Sequence, residues 1–475
     1  MNRSLIPVHG RALVALVVAL ACGAPDGVVS AGPASAVLTV PGFGQVQLYA
    51  PSGTPSQVVL FISGDGGWNL GVVPMAEALR DRGALVAGID IRAFVKSLNT
   101  GSDCAYPAGD LERLSQVVQR TRGFAEYKPP ILVGYSSGAT LVYAALAAAP
   151  PETFAGAISL GFCPDLEIGR RVCQQNGLTA TRRVKGPGYD LAPNRHLVPP
   201  WMVLQGDIDQ VCAPAVTEAF VKAVPSATLL SLPKVGHGFA VTRNWEPQFL
   251  QAYDTIAARR RTLPPPASAP DIHDLALEEV PVAAGNRAST MAIILTGDGG
   301  WAELDKAIAQ GLVTHGVPSV GWSSLHYYWK PRTPETAAAD LARIMRHYQS
   351  AWSVNRFLLV GYSFGADVLP FLVNRLPDSL RAQVQSIALL GLSATADFEF
   401  HVADWIRRPV NTNFQTIPEV ERLTIPVTCV RGEAEDESAC RSLRGPHIRA
   451  VTIGSGHHFG GNYTELVNAI ASTLK

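Results

Sequence analysis

The sequence predicts an α/β protein made of two tandem domains, each with a mostly parallel β-sheet covered by helices on both faces. Runs that are apolar throughout alternate with helical patterns, as in a parallel sheet buried on both faces. Landmark residues also recur once in each half of the 475-residue chain. These pairs are Asp65 and Asp298, Ser136 and Ser363, Gly206 and Gly432, and His237 and His457, which lie 233, 227, 226 and 220 residues apart. Constant order and near-constant spacing indicate two copies of one fold.

The N-terminus has the pattern of an export signal. Arg3 and Arg11 precede an apolar run, residues 12–22, that is short for a membrane span. We predict a signal peptide over residues 1–36, with cleavage sites at 34–36 or 29–31. A lipoprotein site at Cys22 and an uncleaved anchor are the less favoured alternatives. No later segment is long and apolar enough to cross a membrane.

A proline-rich stretch separates the two halves. Residues 264–266 and residue 270 are prolines, which favour an extended, semi-rigid linker. We therefore predict a first domain over residues 37–260, a linker over 261–272 and a second domain over 273–475. In the second half we expect a helix over 334–348, capped by Thr333, and strands over 291–295, 357–360, 387–390, 427–430 and 448–453.

Each half carries a G-x-S-x-G motif directly after an apolar strand, preceded by a glycine-rich loop after an earlier strand. This is the layout of an α/β-hydrolase nucleophile elbow and its oxyanion loop. Ser363 is the predicted nucleophile of the second half, and Ser136 is its counterpart. The oxyanion donors are expected among the residues that follow each serine and those in each loop. They are Phe364, Asp298 and Gly299 in the second half, and Ser137 and Asp65 in the first.

A serine nucleophile needs a base and an acid that orients it. The Gly-His pairs after the last strands identify His457 and His237 as the bases, with His458 as an extra residue. Asp209 is the expected acid of the first half. In the second half Glu435 is favoured, followed by Asp436, with Glu437 also in the same acidic loop.

Acidic and aromatic residues near the elbows are candidates for substrate contacts. Asp65 and Asp298 either fix their loops by accepting backbone hydrogen bonds or hold a cationic substrate group. An aromatic segment at 324–331 either walls the pocket or belongs to the core. The predicted substrate-binding residues are Asp298, Asp367, Glu399 and Trp301.

Six cysteines follow Cys22, four in the first half and two in the second. Even numbers in an exported chain favour disulfides. Cys429 and Cys440 are the expected pair in the second half, whereas the pairing of the other four stays open. No cysteine and histidine pattern indicates a metal site, and no cofactor is expected.

Charge argues against a nucleic-acid partner. Lys and Arg together number 39, as do Asp and Glu, so the net charge is zero. Binding to phosphates requires a basic surface, which this composition does not provide.

Several motifs of the second half together resemble the VirJ family of bacterial virulence proteins. They are G-D-G-G-W, the stretch H-Y-Y-W-K-P-R-T-P-E, G-Y-S-F-G-A-D, A-D-F-E-F and G-H-H-F. The two-domain exported arrangement is similar to the AcvB form of that family. The resemblance implies a periplasmic serine hydrolase that cleaves the aminoacyl ester of lysyl-phosphatidylglycerol, a membrane phospholipid, with secretion-system proteins as further partners. It places that activity on Ser363 and His457 and leaves the activity of the first half open.

Two other functions fit the same sequence. One is a non-catalytic periplasmic binding or chaperone module linked to secretion, which retains the fold without the chemistry. The other is an esterase that acts on a different substrate. Two complete sets of serine, acid and histidine argue against the first alternative.

Overall fold

The structure is a computed structural model, and it describes residues 35–69, 71–100, 104–150, 153–259, 272–282, 289–400 and 414–472. Nearly all of the predicted signal peptide and of the predicted linker lies outside these residues. Among the helices in the described ranges, none combines the length and the apolar character needed to span a bilayer.

The first half forms an eight-stranded sheet in the order β1-β2-β4-β3-β5-β6-β10-β11, with three short strands in a separate small sheet. β1 and β2 run antiparallel to their neighbours, and the other strands are parallel. The strands are β1 Ser35–Val40, β2 Gly44–Tyr49, β3 Gln57–Ile62, β4 Ala84–Ile89, β5 Ile131–Tyr135, β6 Gly156–Leu160, β7 Asp165–Leu166, β8 Thr179–Arg182, β9 Tyr189–Ala192, β10 Trp201–Gly206 and β11 Ala227–Leu232.

The second half repeats this order without the outermost strand. Its seven-stranded sheet runs β12-β14-β13-β15-β16-β19-β20, and only β12 is antiparallel to its neighbour. The strands are β12 Leu277–Val280, β13 Thr290–Leu295, β14 Ser319–Trp322, β15 Arg356–Tyr362, β16 Val384–Leu390, β17 Thr395–Ala396, β18 Phe414–Gln415, β19 Val427–Arg431 and β20 Ile448–Thr452.

Helices cover both faces of each sheet. The first half has α1 Val73–Asp81, α2 Ile91–Leu98, α3 Pro107–Thr121, α4 Ser137–Ala148, α5 Pro214–Lys222 and α6 Glu246–Arg259. The second half has α7 Glu303–Thr314, α8 Ser324–Tyr327, α9 Pro334–Ala351, α10 Phe364–Asn374, α11 Asp378–Arg381, α12 Thr416–Glu421 and α13 Tyr463–Ala471. α1 and α6 pack on one face of the first sheet, as α7 and α13 do on the second, and each face has its own apolar core. The predicted α/β class with two mostly parallel sheets is therefore confirmed.

The elements of the second half follow the predicted pattern closely. Thr333 caps α9 by accepting a hydrogen bond from the Thr336 N–H at 3.2 Å. β13 and β15 contain only buried positions apart from Arg356, which explains why they read as continuous apolar runs. In the first half, β1 begins at Ser35, two residues before the predicted domain start.

Three disulfides brace loops at the carboxyl edges of the sheets. The predicted pair Cys429–Cys440 is confirmed, and the four remaining cysteines pair as Cys104–Cys173 and Cys163–Cys212. Closing a loop by a disulfide lowers the entropy of the unfolded chain. The bridges therefore stabilise the folded protein, and they tie down the segments that follow α2, β6, β10 and β19.

Candidate active site

Both predicted serines occupy sharp turns between a strand and a helix. Ser136 lies between β5 and α4 with φ 57°, and Ser363 lies between β15 and α10 with φ 50°. A non-glycine residue in this left-handed region is strained and needs support from its surroundings. A Cβ atom on Gly361 would lie 2.5 Å from the Gly365 carbonyl oxygen, so the flanking glycines are required by close backbone contact.

In the second half, a chain of hydrogen bonds joins Ser363 to His457 and Glu435. The Ser363 Oγ lies 2.8 Å from the His457 Nε2, and the His457 Nδ1 is hydrogen-bonded to the Glu435 Oε1. The other carboxylate oxygen of Glu435 accepts the Gly432 N–H at 2.7 Å, which fixes the side chain. This is the geometry of a nucleophile, a base and an orienting acid.

The geometry selects Glu435 from the acidic loop. The Asp436 carboxylate instead pairs with the Arg441 guanidinium at 2.6 Å, and its side chain is 85% exposed. Asp436, the second predicted choice for the acid, therefore lies outside the hydrogen-bonded chain. Glu435 and Asp436 are adjacent in the turn, but their carboxylates have different partners, His457 and Arg441.

The first half holds an equivalent arrangement. The Ser136 Oγ lies 2.9 Å from the His237 Nε2, and the His237 Nδ1 lies 2.9 Å from the Asp209 Oδ2. The Asp209 side chain is fully buried, and its Oδ1 accepts the N–H groups of Val211 and Cys212 at 2.8 and 2.9 Å. The acid is thus held on both oxygens.

A glycine after β6 and another after β16 lie against the two histidine rings. Gly391 has φ +67°, and a Cβ there would lie 2.7 Å from the His457 Cε1. Gly161 has φ +65°, and the corresponding distance to the His237 Cε1 is 3.2 Å. This pair was not among the predicted site residues, although the two glycines lie 230 residues apart, close to the offset of the other repeated landmarks.

The two oxyanion loops lie against the serines. A Cβ on Gly64 would be 3.0 Å from the Ser136 Cβ, and one on Gly297 would be 3.6 Å from the Ser363 Cβ. The N–H of Ser137 and the N–H of Phe364 each begin a helix, where backbone donors are free to bind an anion.

Side chains other than the loop aspartates hold these loops. The Ser63 Oγ accepts the Ile91 N–H at 3.1 Å, and the Thr296 Oγ1 accepts the Ser324 N–H at 2.9 Å. Asp65 and Asp298 are exposed, and neither carboxylate makes a hydrogen bond or ion pair within the described residues. The expectation that they fix their loops is therefore not met. Asp298 instead faces solvent close enough to Asp367 for their charges to interact.

Trp301 has a packing role. Its indole lies on Gly321 of β14, where a Cβ would approach the ring to 2.3 Å. Trp68 packs on Gly88 in the same way and donates to the Tyr49 hydroxyl at 3.0 Å. These contacts account for both tryptophans without a substrate, so the predicted substrate contact of Trp301 gains no support.

Asp367 lies one turn after the nucleophile on α10. Its N–H donates to the Ser363 carbonyl, and its Oδ1 accepts the Ser393 N–H at 2.7 Å. Burial raises the pKa of the Asp367 carboxyl well above its usual range, and the negative charge of the nearby Asp298 raises it further. The hydrogen bonds from Ser393 lower this pKa, but they do not offset the effect of burial. The first half has Thr140 at this position, which donates to the Cys163 carbonyl at 2.6 Å.

Glu399 lies at the contact between the two halves. Its carboxylate pairs with Arg120 of α3 at 3.7 Å, and the Arg120 guanidinium also stacks on the Trp329 ring at 4.4 Å. The Trp329 Nε1 donates to the Phe124 carbonyl at 2.8 Å. This ion pair engages the Glu399 carboxylate, and its predicted role in substrate binding gains no support. The aromatic segment is largely interior: Tyr328 packs in the core and Trp329 in the contact between the halves.

His458 does not take part in either triad. Its Nδ1 lies 3.0 Å from the Tyr362 hydroxyl, and burial lowers its pKa. The His458 ring therefore contacts Tyr362, the residue directly before the nucleophile.

One cluster has spacing compatible with a metal ion, but its chemistry does not fit. The ligand atoms of Asp209, Cys212 and His237 lie within 4.8 Å of one another. Cys212 is bonded to Cys163, so it offers no thiolate, and the other two residues belong to the triad.

The strand order, the elbows and the paired serine and histidine residues define an α/β hydrolase. A sequence profile of the family described as bacterial virulence protein (VirJ) matches residues 56–159 and 289–475. The chain belongs to this family. The match extends into the first half, where it ends close to β6.

Similar solved structures each correspond to about half of the chain. An α/β serine hydrolase without a lid from Xanthomonas campestris is 21% identical, with a TM-score of 0.33, and the match covers 49% of this chain and 97% of that one. Est1E from Butyrivibrio proteoclasticus is 13% identical, with a TM-score of 0.32 and 48% and 99% coverage. An esterase domain from Rhodothermus marinus is 17% identical, with a TM-score of 0.32 and 48% and 98% coverage. Comparison with curated proteins finds no match.

Proposed function

We propose that the second domain is a serine hydrolase that removes the aminoacyl group from aminoacyl-phosphatidylglycerol, with lysyl-phosphatidylglycerol as the expected substrate. The observation that carries the proposal is the hydrogen-bonded chain of Ser363, His457 and Glu435 beside the carboxyl groups of Asp298 and Asp367. The α/β-hydrolase fold and membership of the VirJ family support a hydrolase-like function.

The first half of the reaction forms an acyl-enzyme. His457 accepts the proton of Ser363 as the Oγ attacks the ester carbonyl carbon. The carbonyl oxygen becomes an oxyanion, for which the Phe364 N–H and the N–H groups of the 297–300 loop are the donors. Its collapse breaks the ester bond, and His457 returns the proton to the lipid oxygen, so phosphatidylglycerol leaves with a free hydroxyl.

The second half releases the amino acid. Water gives a proton to His457, attacks the acyl carbon and forms a second tetrahedral intermediate. The Ser363 oxygen then leaves and takes the proton back from His457. Throughout both steps Glu435 accepts the Nδ1 hydrogen and stabilises the charged ring.

Recognition of the aminoacyl group is assigned to Asp298 and Asp367. A lysyl ester carries two ammonium groups, which anionic side chains bind best where water is scarce. Burial raises the pKa of the Asp367 carboxyl and so disfavours its ionised form while no cation is bound. An arriving ammonium favours its ionised form, so binding of the cation and release of the carboxyl proton are coupled.

We propose that the reaction takes place at the outer face of the inner membrane, on the basis of the predicted signal peptide. Three disulfides are compatible with an exported protein, since such bonds persist in oxidising compartments. The periplasm is therefore the proposed location, with the phospholipid as the partner in the membrane.

The test is hydrolysis of lysyl-phosphatidylglycerol in vesicles by residues 37–475, with lipids and free lysine measured by mass spectrometry. Ser363→Ala is expected to lower kcat by about 10⁴-fold or more. Ser136→Ala is the matched control, because it removes the same atom from the equivalent elbow. Full activity of Ser363→Ala would refute the assignment, and an unchanged urea-unfolding midpoint would show that the variant is folded.

A second variant tests recognition of the charge. Asp367→Thr installs the residue that the first domain carries, and it is expected to raise KM for the lysyl lipid more than KM for a neutral acyl ester. An equal change for both substrates would contradict a role in binding the ammonium group.

A further inference from the structure

We propose that the first domain is a second serine hydrolase, with a pocket that binds a small aliphatic acyl group of a carboxylic ester. This activity does not depend on the function proposed for the second domain. It uses another nucleophile, another pocket and an uncharged acyl group.

The reactive groups of the first domain are complete. Both links of the triad, from Ser136 to His237 and from His237 to Asp209, measure 2.9 Å. The His237 side chain is 17% exposed, and the Asp209 side chain is fully buried. An acid held by two backbone N–H groups and a strained elbow at Ser136 are features that a disused site has no physical reason to keep.

A cavity of about 320 Å³ borders the oxyanion loop and the residue that follows the nucleophile. Its polar edge consists of Asp65 of the oxyanion loop, Ser137, which follows the nucleophile, and the charged residues Arg92 and Glu167. Five aliphatic side chains form its walls: Ile91, Val95, Leu141, Leu166 and Ile168. The volume is at the low end for ligand pockets, which favours a small acyl group over a long lipid chain.

The walls are held in place before any ligand binds. Leu141 lies one turn after Ser137 on α4, and Ile91 and Val95 lie one turn apart on α2, so each pair shares a face. The third wall is the segment that carries Leu166 and Ile168. The Asn99 Oδ1 accepts the Gly169 N–H at 2.9 Å, and this bond ties the segment to the end of α2. The disulfide Cys104–Cys173 holds the same wall from its other end.

The equivalent space in the second domain is filled by aromatic rings. By the offsets of the repeat, Val95 corresponds to Tyr328 and Ser137 corresponds to Phe364. The rings of Tyr328 and Phe364 lie 5.0 Å apart, and Tyr328 is 1% exposed. The two smaller residues of the first domain therefore leave the cavity open.

The polar character of the two sites also differs. Thr140 replaces Asp367, so the first domain lacks the acid that lies one turn after the nucleophile. The Ser137 Oγ is buried and has no hydrogen-bond partner among the described residues. A buried hydroxyl beside an apolar cavity is satisfied when it donates to an oxygen of a bound ester.

The reaction follows the usual two steps. The Ser136 oxygen bonds to the acyl carbon as His237 takes its proton, and the alcohol leaves with that proton. Water then hydrolyses the acyl-enzyme, giving the carboxylic acid and free Ser136. The acyl chain occupies the aliphatic cavity in both steps.

The test uses the mature chain with Ser363→Ala, so that only the first domain can react, and p-nitrophenyl acetate, butyrate and hexanoate as probes. We expect turnover that disappears when Ser136→Ala is added, with a loss of about 10⁴-fold in kcat. We also expect kcat/KM to rise with chain length by roughly fourfold per methylene until the cavity is full. No turnover beyond that of the double variant, or rates independent of chain length, would overturn the proposal.

Filling the cavity gives a second readout. Val95→Tyr installs the residue of the second domain and is expected to lower the ratio of hexanoate to acetate kcat/KM by tenfold or more. Val184→Tyr adds the same side chain at a position that is 98% exposed, and it should leave that ratio unchanged. Val95→Leu adds a single methylene and should shorten the preferred chain even where the tyrosine is not tolerated. An unchanged ratio in both Val95 variants would place the acyl group elsewhere.

Discussion

Replacing Gly391 by alanine is expected to slow the reaction at Ser363 by on the order of 10²-fold while leaving the fold intact. The new Cβ would lie 2.7 Å from the His457 Cε1, whereas carbon atoms in contact lie about 3.5 Å apart. The ring must therefore move by roughly 0.8 Å, away from the position 2.8 Å from the Ser363 Oγ. Misplacement of a reacting group by about 1 Å costs about 10²-fold in rate.

The same substitution carries a separate cost in stability. Gly391 has φ +67°, and an L-residue in that region costs about 1–2 kcal/mol. Gly161→Ala in the first domain has nearly the same backbone cost at φ +65°, but its contact with the His237 Cε1 is looser, at 3.2 Å. It is the matched control for stability and should affect its own histidine less.

The assay combines urea unfolding with lysyl-phosphatidylglycerol turnover. The two variants Gly391→Ala and Gly161→Ala should lose a similar free energy of unfolding. Only Gly391→Ala should also turn over lysyl-phosphatidylglycerol more slowly. A variant destabilised as expected but with unchanged kcat would refute the argument that this glycine positions the histidine.

Three further outcomes follow from the geometry. Glu435→Ala should lower kcat by several orders of magnitude, whereas Asp436→Ala should change kcat less than tenfold, because of the two only Glu435 is hydrogen-bonded to His457. Equal losses of kcat in the two variants, measured by steady-state assay, would contradict the assignment. Removing the Cys429–Cys440 bridge with paired serines should cost about 3 kcal/mol of unfolding free energy for an 11-residue loop, measured by urea titration, and an unchanged midpoint would count against a bracing role. Burial raises the pKa of Asp305 to about 8. Above about pH 4 this carboxyl therefore keeps a proton in the folded protein that it has lost in the unfolded protein. Stability should therefore fall as pH rises from about 4 to about 8, and Asp305→Asn should flatten this slope in melting experiments; an identical slope in the variant would refute it.

Much of the fold was predictable because its signals are local. Strands such as β13 and β15 are buried on both faces and appear as unbroken apolar runs, and Thr333 with Pro334 marks the start of α9. The elbows depend on glycines whose spacing is fixed by contact between neighbouring backbones. Patterns of this kind survive in a single sequence.

The parts that were missed depend on contacts between distant segments. Glu399 belongs to the A-D-F-E-F motif of the second half, whereas its partner Arg120 lies in the first half. No local sequence pattern therefore indicated this ion pair. One of the two roles considered for Asp298 was to hold its loop, but Thr296 makes such a contact through Ser324, which lies 28 residues away. Glu435, by contrast, was already favoured over Asp436 by its position three residues after Gly432, and its hydrogen bond to His457 agrees with that choice.

The cavity of the first domain also could not be predicted from the sequence. Val95 and Ser137 lie in different elements and meet only in three dimensions. Once the equivalent Tyr328 and Phe364 are seen in contact, the replacement of both by smaller residues becomes the reason for the open space.

The most direct test of the central claim is to trap the acyl-enzyme. Full-length mature protein is mixed with lysyl-phosphatidylglycerol vesicles, quenched in acid within its first turnover and digested for peptide mass spectrometry. The proposed mechanism predicts a lysyl ester on the peptide that contains Ser363 and none on that containing Ser136. Turnover of the lipid without this adduct, or an adduct confined to Ser136, would contradict it.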